Sequence, residues 1–282
     1  MQKKPIIVAH SPDSDDAFMF YALAKDKIDT GEFRFDHVLS DIQTLNQKAM
    51  DGVYEVSAIS FHAFPQVASR YALLPSGSSM GDRYGPMVIA REAYDPSILR
   101  QKKVAVPGLL TTAFLALRLY EPNIDYVVMP FNEILPAVAS GKIDLGLIIH
   151  EGQLTYQSSG LHKIVDLGEW WFEKTGGLPL PLGGNVVRKD LGYEDCVKVS
   201  DILKKAIQYS LDHRPEALEY ALSFARGMDP KTADRFVGMY VNELTVDYGE
   251  RGRTALRRLF EEATAMRLIP EMPKLEFIGD SL

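Results

Sequence analysis

Leu145 to Ile149 is a short apolar run that stops abruptly at His150-Glu151-Gly152. Its length suits a buried strand rather than a helix. Glu133 to Ser140 ahead of it has a helical pattern, and Gly141 stands where that helix would end. Helix, glycine, buried strand and polar turn is the grammar of an α/β sheet. In open sheets of that kind ligands gather outside the carboxyl ends of the strands, where His150 falls. An imidazole there is suited to proton transfer near neutral pH. A structural histidine bonded to a neighbouring carbonyl fits the same position, and spacing alone does not separate the two.

The grammar occurs twice. Val8-Ala9 followed by Ala17-Phe18 is echoed, 96 residues on, by Val104-Ala105 followed by Ala113-Phe114. Thr44 to Ser60 is echoed by Glu133 to His150 with one residue of slippage. Val56 to Ser60 is again a buried strand, and Ser60 ends it as His150 ends its own. The echo predicts two similar α/β lobes. With 282 residues, 46% apolar and 24% charged, the chain has material for both.

Other expected strands are Ile6–Ala9, Phe33–Val38, Pro86–Ala90, Leu161–Leu167 and Asn185–Val187. Expected helices are 17–23, 41–50, 63–71, 202–211, 215–225, 231–240 and 252–266, with Pro215 and Pro230 in first turns. The C-terminal helices are expected on the first lobe. Glu169 to Asn185, aromatic and then rich in Gly and Pro, reads as a return crossover. The expected domains are therefore 1–88 plus 186–282, and 89–185.

A net charge of −7 without a basic cluster argues against a nucleic-acid partner. The single Cys196 allows neither an internal disulfide nor a thiolate metal cluster. No apolar run reaches the roughly 18 residues of a membrane span. The first strand begins close behind Met1-Gln2 with no leader pattern, so a cytoplasmic location is expected.

Asp13-Ser14-Asp15-Asp16 favours helix capping over a divalent metal site. Thr111-Thr112 at a helix start reads as an N-cap or as donors to a substrate carboxylate. Ser60 is a turn hydroxyl or a ligand contact. Trp170-Trp171 fits core packing better than ligand stacking. His10 and His62 are second-rank candidates. Gly81-Asp82-Arg83-Tyr84-Gly85 lacks the following glycine and helix of a dinucleotide fingerprint.

Together these residues resemble the 1,4-dihydroxy-6-naphthoate synthase family of the futalosine route to menaquinone. The resemblance is carried most specifically by Gly146-Leu147-Ile148-Ile149-His150-Glu151 and by Gly177-Leu178-Pro179-Leu180-Pro181-Leu182-Gly183. It implies a two-lobed, type II periplasmic-binding-protein-like fold with a ligand cleft between the lobes. It implies a lyase, free of metal and other cofactors, that acts on cyclic dehypoxanthine futalosine, a small-molecule carboxylate. His150 would be the proton acceptor. Ala58 to Ser60 and Thr112-Ala113 would contact the substrate, and Thr111 joins them as a candidate from its place at the helix start. The first loop, Ser11-Pro12-Asp13-Ser14-Asp15-Asp16, departs from the family's Ser-Pro-Cys-Pro-Asn-Asp. Alternatives of other kinds are a binding protein for a small anion and a chorismate dehydratase of the same fold.

Overall fold

The computed structural model describes residues 3–225 and 228–280. The Met1-Gln2 start, on which the leader reading rests, lies outside them, as do the ends of the expected first-lobe range. The elements run β1 (Lys4–His10), α1 (Ser14–Ala24), β2 (Phe33–Leu39), α2 (Ile42–Met50), β3 (Val56–Ser60), α3 (Phe64–Val67), β4 (Tyr71–Leu73), β5 (Ser79–Gly81) and β6 (Met87–Ala90). They continue β7 (Val104–Val106), α4 (Thr112–Tyr120), β8 (Tyr126–Val128), α5 (Phe131–Ala139), β9 (Leu145–Ile148), α6 (Gly152–Thr155), β10 (His162–Asp166), α7 (Leu167–Thr175) and β11 (Leu180–Arg188). Helices α8 (Tyr193–Asp212), α9 (Arg214–Leu222), α10 (Pro230–Tyr240), α11 (Glu243–Val246) and α12 (Gly249–Ala265) complete the chain.

One unit comprises Met1–Ser79, Gly183–Glu250 and Pro273–Leu282, and the other Met80–Leu182 and Arg251–Met272. The first unit's sheet has the order β2-β1-β3-β11-β4, with β5 also paired to β11. The second sheet runs β10-β6-β9-β7-β8. Read from β8, the second repeats the first. A central strand, β1 or β7, lies between two parallel neighbours. An antiparallel strand, β11 or β6, follows, and it pairs antiparallel with one more. The 96-residue echo thus marks equivalent strands and helices in two like sheets.

Buried apolar runs build each core. In the first unit Val8, Phe18, Phe20, Val56 and Val187 pack with Leu203 and Ile207 of α8. In the second, Ile89 and Ala105 pack with Ile134, Val138 and Ile148. Gly146 lets α5 approach β9 closely, since a Cβ there would lie 2.6 Å from Ile134 Cγ2 and 2.7 Å from Val138 Cγ2. Gly141 stops α5 in the left-handed conformation, φ +78°, that glycine adopts without strain. Pro230 occupies the first turn of α10, behind an Asp229 carboxylate that caps Lys231 and Thr232.

Four expectations change. Residues 63–71 hold only the short α3, because the chain turns at 68–70 and Tyr71 opens β4, fully buried with its hydroxyl donating 2.7 Å to Tyr54 O. Glu169 to Thr175 belongs to helix α7, started by Asp166, whose carboxylate accepts from Gly168 N and Glu169 N. The edge strand β8 was not expected. Finally, α8 to α11 belong to the first unit but 251–272 belongs to the second. There Arg251 pairs with Asp82 and donates to Gly177 O, and Lys174 pairs with Glu262. Among the described residues no helix is long and apolar enough to cross a membrane.

Candidate active site

In the first unit, adjacency of the parallel strands β1 and β3 brings the His10–Asp16 loop and Ser60 to the same carboxyl end of the sheet. Ser60 is buried and held by Asn46 of α2. Asn46 Nδ2 donates to Ser60 Oγ at 3.0 Å, and Ser60 N donates to Asn46 Oδ1 at 2.8 Å. Asn46 interrupts the apolar stripe Ile42-Leu45-Ala49 of α2 and is itself fully buried. A polar residue inside a buried stripe was the available signal for this support. Ala58 lies two residues earlier on β3, also buried.

The acidic loop works inward. Asp13 takes the N-cap position of α1 without capping it, and its carboxylate instead accepts from Ser11 Oγ at 2.7 Å. Asp16 Oδ2 accepts from Ser11 N at 2.7 Å. The segment starts α1 as expected, with Asp15 and Asp16 in its first turn, while the carboxylates of Asp13 and Asp16 also brace the loop. Among the described residues no group of three or more His, Cys, Asp or Glu side chains is arranged to hold a metal ion.

His10 is buried against Phe20, with ring centroids 4.6 Å apart. Its Nδ1 lies 3.0 Å from Ser11 O, and its Nε2 lies 3.1 Å from His37 Nδ1. A carbonyl only accepts, so His10 carries its proton on Nδ1, and Nε2 accepts from His37 Nδ1–H. Burial holds both imidazoles down at about 4, with each other's proximity adding to it at His37. This is a neutral structural pair, and His10's second nitrogen is already engaged.

In the second unit β7 and β9 are parallel neighbours, so the start of α4 and His150 lie at the same carboxyl end of the sheet. Thr111 is the N-cap of α4: its Oγ1 accepts from Phe114 N at 3.2 Å and donates to Gly108 O at 2.8 Å. Thr112 Oγ1 donates to Leu182 O at 2.5 Å. Ala113 is buried in the first turn. These contacts fix the helix start, whose first-turn N–H groups and dipole favour an anion.

His150 follows β9 with φ +57°, a left-handed backbone uncommon for a residue with a side chain. Such conformations cost about 1–3 kcal/mol and cluster at functional sites. Phe131, at the start of α5, meets the ring edge-on with centroids 4.9 Å apart. Nothing in the residue spacing announced this backbone or Phe131. Trp171 is fully buried and donates from Nε1 to Pro179 O at 3.1 Å, while Trp170 packs edge-on to Tyr120. The tryptophan pair is a packing element.

Two like sheets with polar strand ends define a class. The fold is periplasmic-binding-protein-like, as in the alkanesulfonate-binding protein from Xanthomonas axonopodis pv. citri, with a TM-score of 0.68 at 12% identity over 99% of this chain and 97% of that one. A solved structure from Archaeoglobus fulgidus matches with a TM-score of 0.90 and 44% identity, covering 94% of this chain and 98% of that one.

The chain belongs to the menaquinone-biosynthesis family, whose match spans residues 6–265. Two relatives are named 1,4-dihydroxy-6-naphtoate synthase. That of Streptomyces coelicolor is 40% identical over 278 residues, 96% of this chain and 97% of its own. That of Thermus thermophilus is 39% identical over 268 residues, 95% and 97% respectively. The chain is accordingly an enzyme, on a fold that binding proteins also use.

Proposed function

We propose that this enzyme is a 1,4-dihydroxy-6-naphthoate synthase, a lyase that converts cyclic dehypoxanthine futalosine to 1,4-dihydroxy-6-naphthoate in the cytoplasm. The observation that carries the reading is the agreement with two relatives of that name over nearly the full length of each. His150 acts as general base. Its strained backbone at a strand end supports the role, since strain kept in a fold commonly serves function. A neutral imidazole takes the substrate proton. Cleavage releases the sugar-derived fragment, and aromatisation to the naphthoate provides driving force. Ala58, Ser60, Thr111, Thr112 and Ala113 contact the substrate, with the α4 start suited to its carboxylate. Neither metal nor other cofactor takes part.

The test is incubation of the purified protein with cyclic dehypoxanthine futalosine in the presence of a chelator, following the naphthoate by absorbance and mass. Product with the chelator present is expected. Binding without product contradicts the lyase reading and favours a binding protein for a small anion.

A further inference from the structure

We infer that Asn185, with Ser76 one residue before the glycine that packs on it, is a further substrate-binding residue of the first unit, donating to an acceptor oxygen of the substrate on the sheet face that Ser60 ends. This rests on the function proposed above. The register between β3 and β11 sets Gly183 opposite Ser60 and Asn185 opposite Ala58. Directly opposed residues on neighbouring strands project to the same face. Asn185 therefore shares a face with Ala58 and Ser60, while Gly184 and Ile59 belong to the other, where Gly184 abuts Phe61 and Tyr248.

That face is built low. Ala58, Ser60 and Gly183 are small, and Gly183 is partly open to solvent. Asn185 is the long polar side chain among them, 2% exposed, and its Nδ2 has no hydrogen-bond partner. Ser76 Oγ, in a residue 1% exposed, has none either. Ser76 precedes Gly77 in the chain, and Gly77 lies against Asn185. A Cβ on Gly77 would fall 2.0 Å from Asn185 Nδ2, and its φ of +82° suits glycine, so the loop packs against the amide.

The loop is itself secured. Gly77 N donates to Thr245 O, Ser78 Oγ donates to Leu244 O, and Leu74 N donates to Asn185 O. With the backbone so tied down, neither side chain is spare material of a loose segment. A buried donor without an acceptor is costly, and folded proteins keep few of them. Here an amide, and a hydroxyl one residue before the glycine that packs on it, are left without partners in the sheet region that ends at Ser60. The amide nitrogen only donates and the hydroxyl can donate, so a complementary group for both is an acceptor oxygen.

Steady-state kinetics on cyclic dehypoxanthine futalosine test this with Asn185→Ala, Asn185→Asp and Ser76→Ala. Loss of a donor that holds the substrate equally before and during reaction raises KM and leaves kcat. Asn185→Ala should raise KM by about tenfold or more. Asn185→Asp keeps the shape beside Gly77 but turns a donor into a charged acceptor facing the substrate oxygen, and should raise KM further. Ser76→Ala should raise it in the same sense.

Folded Asn185→Asp and Ser76→Ala proteins with wild-type KM would overturn the inference and leave the lyase standing. Wild-type protein that neither binds nor converts the substrate would overturn the function and this inference together. If both Asn185 variants fail to fold, the KM of Ser76→Ala decides the matter.

Discussion

Asn46 grips Ser60 at two points, its amide oxygen taking the backbone N–H at 2.8 Å and its amide nitrogen reaching the hydroxyl at 3.0 Å. Both residues are buried. The hydroxyl, accepting from Asn46, keeps its own proton to donate. Asn46→Ala strands the Ser60 N–H away from water and should cost about 2–3 kcal/mol of stability. Urea unfolding measures it, and an unchanged midpoint would mean that Ser60 finds other support.

His150 carries a left-handed backbone at φ +57°. Glycine adopts that conformation without the steric penalty. His150→Gly should therefore be at least as stable as the wild type, by up to about 1 kcal/mol, whereas Ala at the same place should be less stable. Thermal melts of the two variants decide it. A glycine variant less stable than the alanine one would show that the backbone is unstrained.

The His10–His37 pair makes stability depend on pH. An unfolded imidazole titrates near about 6.5, and burial holds both folded ones at about 4. Between those values the unfolded chain binds protons that the folded one refuses. Stability is thus full above about pH 6.5 and falls with pH until about 4. For His10 alone the loss is on the order of 3 kcal/mol. Asp166 works the other way, since burial pushes its carboxyl up to about 6 and the folded state gains as it protonates. The double variant His10→Gln, His37→Gln removes the histidine part and keeps Asp166. Its urea midpoint should fall less than the wild type's between about pH 7.5 and about pH 4.5. An equal fall would contradict the neutral pair.

Trp171 is fully buried, with its indole N–H given to Pro179 O. Trp171→Ala should cost about 3–5 kcal/mol through the cavity it leaves. Trp171→Phe, losing the hydrogen bond and part of the ring, should cost less. Equilibrium denaturation separates the two. A small cost for the alanine variant would return Trp171 to consideration as a ligand-stacking residue.

The buried strands were legible because β1, β3 and β9 are apolar runs bounded by polar turns, and period and length distinguish them from helices. The repeat of Val8-Ala9 at Val104-Ala105 pointed to two similar α/β lobes, while their strand order came from the pairing. Short β8 was not legible: Tyr126–Val128 is exposed along its length and has no buried face to leave a pattern. Helix α7 was hidden by the glycines and prolines that follow it. Helical periodicity in residues 252–266 showed that α12 has an apolar face. It carried no information on which unit that face would join, because Arg251–Asp82 and Lys174–Glu262 are pairings across long stretches of chain.

The candidate residues divide in the same way. His150 and Ser60 were visible as polar ends of buried runs, and Thr111 as a helix cap. Asn185 read simply as a strand residue, since its interest comes from facing Ala58 across β11, a register no single segment encodes. Asn46 was readable in principle as the polar member of an apolar stripe. The left-handed turn at His150 has no sequence mark, because histidine enters that conformation only where the surrounding fold holds it.

The central claim is that His150 is the base. Its direct test is the single-turnover rate of cyclic dehypoxanthine futalosine conversion by wild-type and His150→Ala proteins, each shown to be folded and saturated with substrate. Loss of a general base should lower that rate by about 10²–10⁴-fold while the substrate still binds. A variant that turns the substrate over at the wild-type rate would contradict the assignment, whatever the family.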